Sequence, residues 1–210
     1  MRILFMGTPE FAVPSFDVLN SEYEIVGAFT KIDKPNMRGK KIKFTPVKEY
    51  ALEHNIPVYQ PNTLKSEETQ NLIKELNPDL IVVVAYGKIL PKEIIEMPKY
   101  GVINVHSSLL PKYRGAAPIN AALIHGEEES GVSIMYIAEE LDAGDVILTV
   151  KTKITDEDTF LTLHDRLKEL GAKGLIEAVR LIEKGEAPRI PQNHSEATFV
   201  KPFSKDDCKI

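Results

Sequence analysis

Asn104 and His106 stand two residues apart at the end of the run Gly101-Val102-Ile103-Asn104-Val105-His106, and Ser107-Ser108-Leu109-Leu110-Pro111 follows at once. The run alternates as a buried strand does, and a period of two sets both polar side chains on one face, one pleat apart. An amide can donate hydrogen bonds to a developing oxyanion. An imidazole can do the same, or move a proton near neutral pH. The pair suits acyl transfer. An isolated Asn-x-His is more often an asparagine capping the next turn and a satisfied, half-buried histidine, so the surrounding residues must decide.

A second polar focus is Leu141-Asp142-Ala143-Gly144-Asp145, which reads as a turn between two late strands. Glycine there permits tight or left-handed backbone that can aim a neighbouring carboxylate inward. In isolation the same residues would be an ordinary hairpin turn. Five histidines and one cysteine show no metal-ligand spacing such as His-Glu-x-x-His or Cys-x-x-Cys, so no metal site is expected. The lone Cys208 excludes an intrachain disulfide and fits a reducing, cytoplasmic location.

With 210 residues, 43% of them hydrophobic, the chain can bury one sizeable core but not two full-sized domains. No apolar run approaches the roughly 20 residues that span a bilayer, and nothing resembles a signal peptide; a soluble monomer without membrane contact is expected. The formal net charge of -5 is unevenly placed. Between Lys31 and Lys43, six basic residues (Lys31, Lys34, Arg38, Lys40, Lys41, Lys43) oppose the single acid Asp33, giving +5 locally and leaving -10 elsewhere. Such a patch attracts phosphates, with an affinity that falls as salt rises. The other reading is a solvated loop whose lysines serve only solubility.

The elements that must position these residues alternate along the chain. Arg2 to Met6 reads as a strand, a helix follows through Val18 and Leu19, and Glu24 to Thr30 is a second strand. Thr45-Pro46 opens a helix to about His54, with the proline where a first turn tolerates it. Ile56 to Tyr59 is a short strand, Glu67 to Leu76 a polar-faced helix, and Leu80 to Ala85 a continuous apolar run, the mark of a central strand covered on both sides. Then come a short helix near Lys92 to Glu96, the Asn104 strand, a helix from about Ala117 to Ile124, and strands near Val132 to Ile137 and Val146 to Thr152. From Thr159 to Lys184 apolar residues recur at helical spacing, with Gly171 and Gly174 as points where the helix can bend. Pro191 to Ile210 shows no period and reads as a tail or linker. The pattern predicts an α/β, Rossmann-like, open and mostly parallel sheet with helices on both faces. Gly7-Thr8-Pro9, Tyr86-Gly87 and Asn104 to Ser108 should meet in one crevice at the carboxyl ends of the strands. The first turn has Gly7 alone and lacks Gly-x-Gly-x-x-Gly, so a nicotinamide cofactor is not implied.

Taken together, Asn-x-His-x-Ser-Leu-Leu-Pro-x-Tyr-Arg-Gly-x-x-Pro-Ile over residues 104–119 and Leu-Asp-x-Gly-Asp over residues 141–145 resemble the 10-formyltetrahydrofolate-dependent formyltransferase family. Gly7-Thr8-Pro9-Glu10-Phe11-Ala12, Arg38-Gly39-Lys40-Lys41, Pro46-Val47-Lys48, Val83-Val84-Ala85-Tyr86-Gly87 and Arg114-Gly115-Ala116-Ala117-Pro118 are most similar to its branch acting on methionyl-tRNA. The resemblance runs from residue 2 to about residue 207. Members of that branch also carry a C-terminal β-barrel that helps hold tRNA, for which this chain has no room. It therefore reads either as a catalytic domain, residues 1–190, with a tail or linker at 191–210 leading toward the missing barrel, or as a short relative with a different acceptor.

The resemblance implies a catalytic trio of Asn104, His106 and Asp142, with 10-formyltetrahydrofolate as co-substrate and initiator methionyl-tRNA as acceptor. Asn104 and a protonated His106 would stabilise the oxyanion, and Asp142 would support the ring and help remove the amine proton. Folate would lie along Ser108, Leu109, Leu110 and Pro111, its pterin reaching toward the Val84 and Glu140 loops. Arg38, Lys40, Lys41 and Lys43 would contact the acceptor stem, and Phe11 the methionyl side chain. A glycinamide ribonucleotide formyltransferase or a sugar-nucleotide N-formyltransferase would share the trio but give the basic insert no task; an inactive folate-binding or RNA-binding fragment is the remaining alternative.

Overall fold

The computed structural model describes residues 1–35 and 42–203. In chain order its elements are β1 (Arg2–Gly7), α1 (Val13–Glu22), β2 (Glu24–Phe29), β3 (Lys34–Pro35), β4 (Ile42–Lys43), α2 (Pro46–Glu53), β5 (Val58–Tyr59), α3 (Glu67–Leu76), β6 (Leu80–Val84), α4 (Lys92–Ile95), β7 (Val102–His106), β8 (Arg114–Gly115), α5 (Pro118–Ile124), β9 (Glu129–Tyr136), β10 (Val146–Lys153), α6 (Phe160–Lys184) and β11 (Phe199–Val200). Seven strands form one sheet in the order β10-β9-β7-β6-β1-β2-β5. The five from β7 to β5 run parallel, and β9 is antiparallel to both its neighbours. The expected open, mostly parallel sheet with helices on both faces is the fold observed.

β6 lies near the middle of the sheet and every residue in it is buried, which is why its sequence is unbroken Leu-Ile-Val-Val-Val. Alternate residues feed two layers. Leu80, Val82 and Val84 join Ile3, Phe5, Ile103 and Val105 beneath α1 and α6, while Ile81 and Val83 join Leu4, Met6 and Val102 beneath α3 and α4. α6 is continuous for 25 residues. Gly171 and Gly174, expected as bend points, instead let the helix approach the sheet closely. A Cβ at Gly171 would lie 3.0 Å from Val105 Cγ1, and one at Gly174 would lie 3.1 Å from Val150 Cγ2 and 3.2 Å from Leu148 Cδ1. No helix among the described residues is long and apolar enough to cross a membrane.

The carboxyl ends of the parallel strands β1, β6 and β7 lie on one side, and the loops after β1, β2 and β6 are tied together. Thr8 Oγ1 donates to the Tyr86 carbonyl at 3.1 Å and accepts from the Lys31 amide at 3.4 Å. Over residues 191–200, where no period is readable, the chain nonetheless packs on the body. β11 pairs in parallel with β8, the Arg114 amide donating to Thr198 O at 2.8 Å and the Ala116 amide to Val200 O at 3.0 Å. A two-residue strand is too short to leave a period in the sequence.

α6 begins in a capping box, in which the Thr159 and Thr162 side chains each accept from the other's backbone amide. Just ahead of it, Asp158 accepts from the Thr155 amide at 2.9 Å, the Arg166 guanidinium at 2.5 Å and the Thr162 hydroxyl at 2.9 Å. The Thr155 hydrogen bond, followed by the one from Arg166, holds the Asp158 carboxyl down at about 2. A folded-state pKa below the unfolded value of about 4 means that this carboxylate stabilises the fold above pH 4, and that the contribution is lost as pH falls toward 2. The difference in urea midpoint between wild type and Asp158→Asn is therefore expected to be constant above about pH 4 and to shrink between pH 4 and 2. A difference independent of pH across that window would contradict a role for the charge.

Candidate active site

Strand register delivers Asn104 and His106 to one place. Asn104 lies opposite Val83 of β6 and Met135 of β9, and His106 opposite Ser133 of β9. Since Ile103 and Val105 are spent on the core beneath α6, their alternates project from the other face of β7. Asn104 is half-buried and its amide has no hydrogen-bond partner among the described residues. His106 is only 6% exposed, with Nε2 at 2.9 Å from the Tyr113 carbonyl oxygen. A carbonyl only accepts, so this contact requires the proton on Nε2. Nδ1 faces Asp142 Oδ2 at 3.7 Å, an ion-pair separation rather than a hydrogen bond.

Asp142 is aimed by its backbone. Its φ of +47° puts it in the left-handed region, where aspartate is among the more tolerant side chains. Its Oδ2 accepts from the Gly115 amide at 2.8 Å. Two residues later the turn needs glycine for space, because a Cβ at Gly144 would collide with the Tyr136 carbonyl oxygen. The Gln192 amide closes the turn, donating from Nε2 to the carbonyls of Asp142 at 2.9 Å and Gly144 at 2.8 Å. Arg114 in turn donates to Gln192 Oε1 from Nε at 3.1 Å and Nη2 at 2.9 Å. The trio expected from sequence is thus brought together at the carboxyl end of β7. Four supports were not anticipated: the Tyr113 carbonyl, the Gly115 amide, Ser133 and Gln192. Two of these are backbone groups, which no side-chain pattern reveals.

The expected folate segment is a stiff turn. Ser108 donates from Oγ to the Lys112 carbonyl at 2.6 Å, so its hydroxyl shapes the loop. Ser133 Oγ donates to the Ser108 carbonyl at 2.8 Å and accepts from the Leu110 amide at 3.2 Å. Leu109 reaches over Gly131, where a Cβ would lie 2.5 Å from Leu109 Cδ2. Leu109, Leu110 and Pro111 remain half-buried, leaving an apolar edge. Phe11 is 7% exposed in the core cluster beneath α1 and α6, its ring edge-on to His164 at 5.2 Å.

Of the expected basic contacts, Lys43 is exposed on the β3–β4 hairpin, while Arg38, Lys40 and Lys41 lie outside the described residues. The only acid of the insert, Asp33, is neutralised locally. Burial would raise its carboxyl, but hydrogen bonds from Lys48 and Gln60 outweigh that and hold it below the usual range. Lys48 also lies over the Phe44 ring at 4.1 Å. Among the described residues no group of three or more His, Cys, Asp or Glu could hold a metal ion.

The family model described as formyl transferase matches residues 1–179. A methionyl-tRNA formyltransferase of Fusobacterium nucleatum is 61% identical over 210 residues, all of this chain and 68% of that protein; one from Alkaliphilus oremlandii is 56% identical over 211 residues, again all of this chain and 68% of the relative. Among solved structures, a phosphoribosylglycinamide formyltransferase from Anaplasma phagocytophilum superposes with a TM-score of 0.75 at 20% identity, covering 96% of this chain and 99% of that one. A 4-N formyltransferase from Francisella tularensis gives 0.73 at 18% identity, covering 98% and 77%. At such identities the structures testify to the fold alone, and the sequence relatives carry the assignment: the chain belongs to the formyl transferase family, within its methionyl-tRNA formyltransferase branch.

Proposed function

We propose that this chain transfers the formyl group of 10-formyltetrahydrofolate to the α-amino group of methionyl-tRNA for translation initiation, without a metal, as a monomer in the cytoplasm. One observation carries the reading. At the end of β7 an amide with no partner among the described residues, an imidazole, and a carboxylate held in a left-handed turn converge. Residues 1–190 form the catalytic domain, and the 191–200 segment completes it; a linker to any tRNA-binding β-barrel would follow.

In this reading the amine attacks the formyl carbon as the carbonyl electrons move to oxygen. The tetrahedral centre then collapses, the bond to the folate nitrogen breaks, and that nitrogen takes up a proton while the attacking nitrogen loses one. Asn104 donates to the oxyanion. His106 becomes a second donor once its Nε2–H leaves the Tyr113 carbonyl, and Asp142, on the ring's other side, takes the amine proton through water. A free α-amine titrates at about 7.7 to 8.0 and its esterified form lower, so much of the nucleophile is neutral near pH 7 and positioning supplies a large share of the rate. The half-buried edge of Leu109, Leu110 and Pro111 fits a flat ring with polar rims, while Ser108 shapes that edge. Phe11 supports the aminoacyl side from the core.

The acceptor is read from the basic insert. With Asp33 neutralised by Lys48, Lys34 and Lys43 present charge that no acid among the described residues pairs with, on the hairpin that leads into Arg38, Lys40 and Lys41, suited to the phosphates of an acceptor stem. The joint variant Arg38→Ala, Lys41→Ala is expected to raise the KM for methionyl-tRNA about tenfold or more and to flatten its salt dependence by one to two contacts, leaving folate affinity intact. Equal loss of both substrates would remove this assignment.

Formyl transfer should be measured with methionyl-tRNA, glycinamide ribonucleotide and a 4-amino sugar nucleotide in parallel. Preference for the charged tRNA is expected. Preference for a small amine would keep the chemistry and discard the acceptor, and folate binding without turnover on any amine would reduce the chain to a binding module. Asn104→Ala and His106→Ala are each expected to lower kcat on the order of 10²- to 10³-fold while folate affinity changes little. An unchanged kcat in either variant would strike that residue from the mechanism.

A further inference from the structure

We propose that Arg114 and Gln192 act as positioning residues for Asp142, so that the 192–200 segment sets the catalytic geometry. The inference rests on the assignment of Asp142 to formyl transfer. Arg114 is 1% exposed. A guanidinium so deeply buried is tolerated only when its N–H groups are matched to acceptors. Nε and Nη2 converge on one oxygen, Gln192 Oε1, and Nη1 reaches Glu140 Oε1 at 3.3 Å. Nη2 also faces His194 Nδ1 at 3.4 Å.

That convergence fixes which way the Gln192 amide points. Because Oε1 must face the arginine, Nε2 must face the Asp142 turn, and its two hydrogens are consumed by the carbonyls of Asp142 and Gly144. The result is a directed relay from guanidinium to amide to the backbone of a left-handed aspartate. A second arm starts one residue later, where the Gly115 amide donates directly to the Asp142 carboxylate. The Arg114-Gly115 pair therefore holds Asp142 at both its backbone and its side chain.

The segment carrying Gln192 is locked to the same pair. β11 runs beside β8, and at Gly115, with φ +109°, the Val200 carbonyl fills the space a Cβ would need. The Tyr113 amide donates to Thr198 Oγ1 at 2.8 Å, and the Tyr113 carbonyl is the group that holds His106. Gln192 itself is 8% exposed and lies beyond the residues matched by the family model. The segment thus touches both the aspartate and the histidine sides of the site through single hydrogen-bonded steps.

The test compares Gln192→Ala and the packing-conserving Gln192→Met with Asp142→Asn and the double variant Asp142→Asn, Gln192→Ala. The readouts are kcat, both KM values and hydrogen-exchange protection of the Gly115 amide. Gln192→Ala and Gln192→Met are expected to lower kcat on the order of 10²-fold with both KM values nearly unchanged, as misplacement of a catalytic group does. In the Asp142→Asn background the second change should add little. Protection of the Gly115 amide should fall in both Gln192 variants, which tests the relay even without turnover. Retained kcat and retained protection, or a full multiplicative loss in the Asp142→Asn background, would overturn the proposal. An Asp142→Asn variant with wild-type kcat would instead overturn the assignment of Asp142, which separates the two failures.

Discussion

The left-handed backbone at Asp142 is the constraint on which the candidate site depends, because it fixes the carboxylate beside the His106 imidazole. A non-glycine residue in this region costs on the order of 1 kcal/mol or more and persists only where its surroundings over-determine it. Here Gly144 removes the steric obstacle, Gln192 binds the two outward carbonyls, and the Gly115 amide receives the carboxylate. None of these groups lies on β7, yet all converge where β7 ends.

The sheet makes that convergence reproducible. β9 is hydrogen-bonded antiparallel to β7, so Ser133 sits opposite His106 and holds the Ser108–Leu110 turn, while the β9–β10 connection carries Asp142 back over the same edge. α6 clamps the other face of these strands at close range through Gly171 and Gly174. An antiparallel extension on a parallel sheet thus has a chemical consequence: it brings a carboxylate from residue 142 to a histidine at residue 106 without adding a domain. The electrostatics are divided in space. Asn104, His106 and Asp142 gather at the end of β7, and the basic hairpin follows the end of β2, where Lys48 neutralises Asp33.

The layers of the fold were legible because they are written in periods. The unbroken apolar run of β6, the alternation of β7 and the helical spacing of α6 each state how many faces an element buries. The meeting of the three side chains was legible for a different reason, since a long spaced resemblance linked Asp142 to His106 across 35 intervening positions that no local pattern joins. What escaped was whatever acts through backbone or through very short elements. The Tyr113 carbonyl and Gly115 amide have no residue signature, and β11 is two residues long, so Gln192 sat in a stretch that read as tail. Gly171 and Gly174 have the sequence signature of bends because sequence cannot distinguish a flexible glycine from one that makes room for a neighbouring layer.

The most direct measurement is a long-range proton–nitrogen NMR spectrum of the His106 ring in mildly alkaline solution, with the free chain and with Asp142→Asn. The expected result is a proton on Nε2, held by the Tyr113 carbonyl, and an unprotonated Nδ1 whose resonance shifts when the Asp142 carboxylate is replaced. A proton on Nδ1 with a bare Nε2, or a ring indifferent to residue 142, would contradict the geometry on which the mechanism depends.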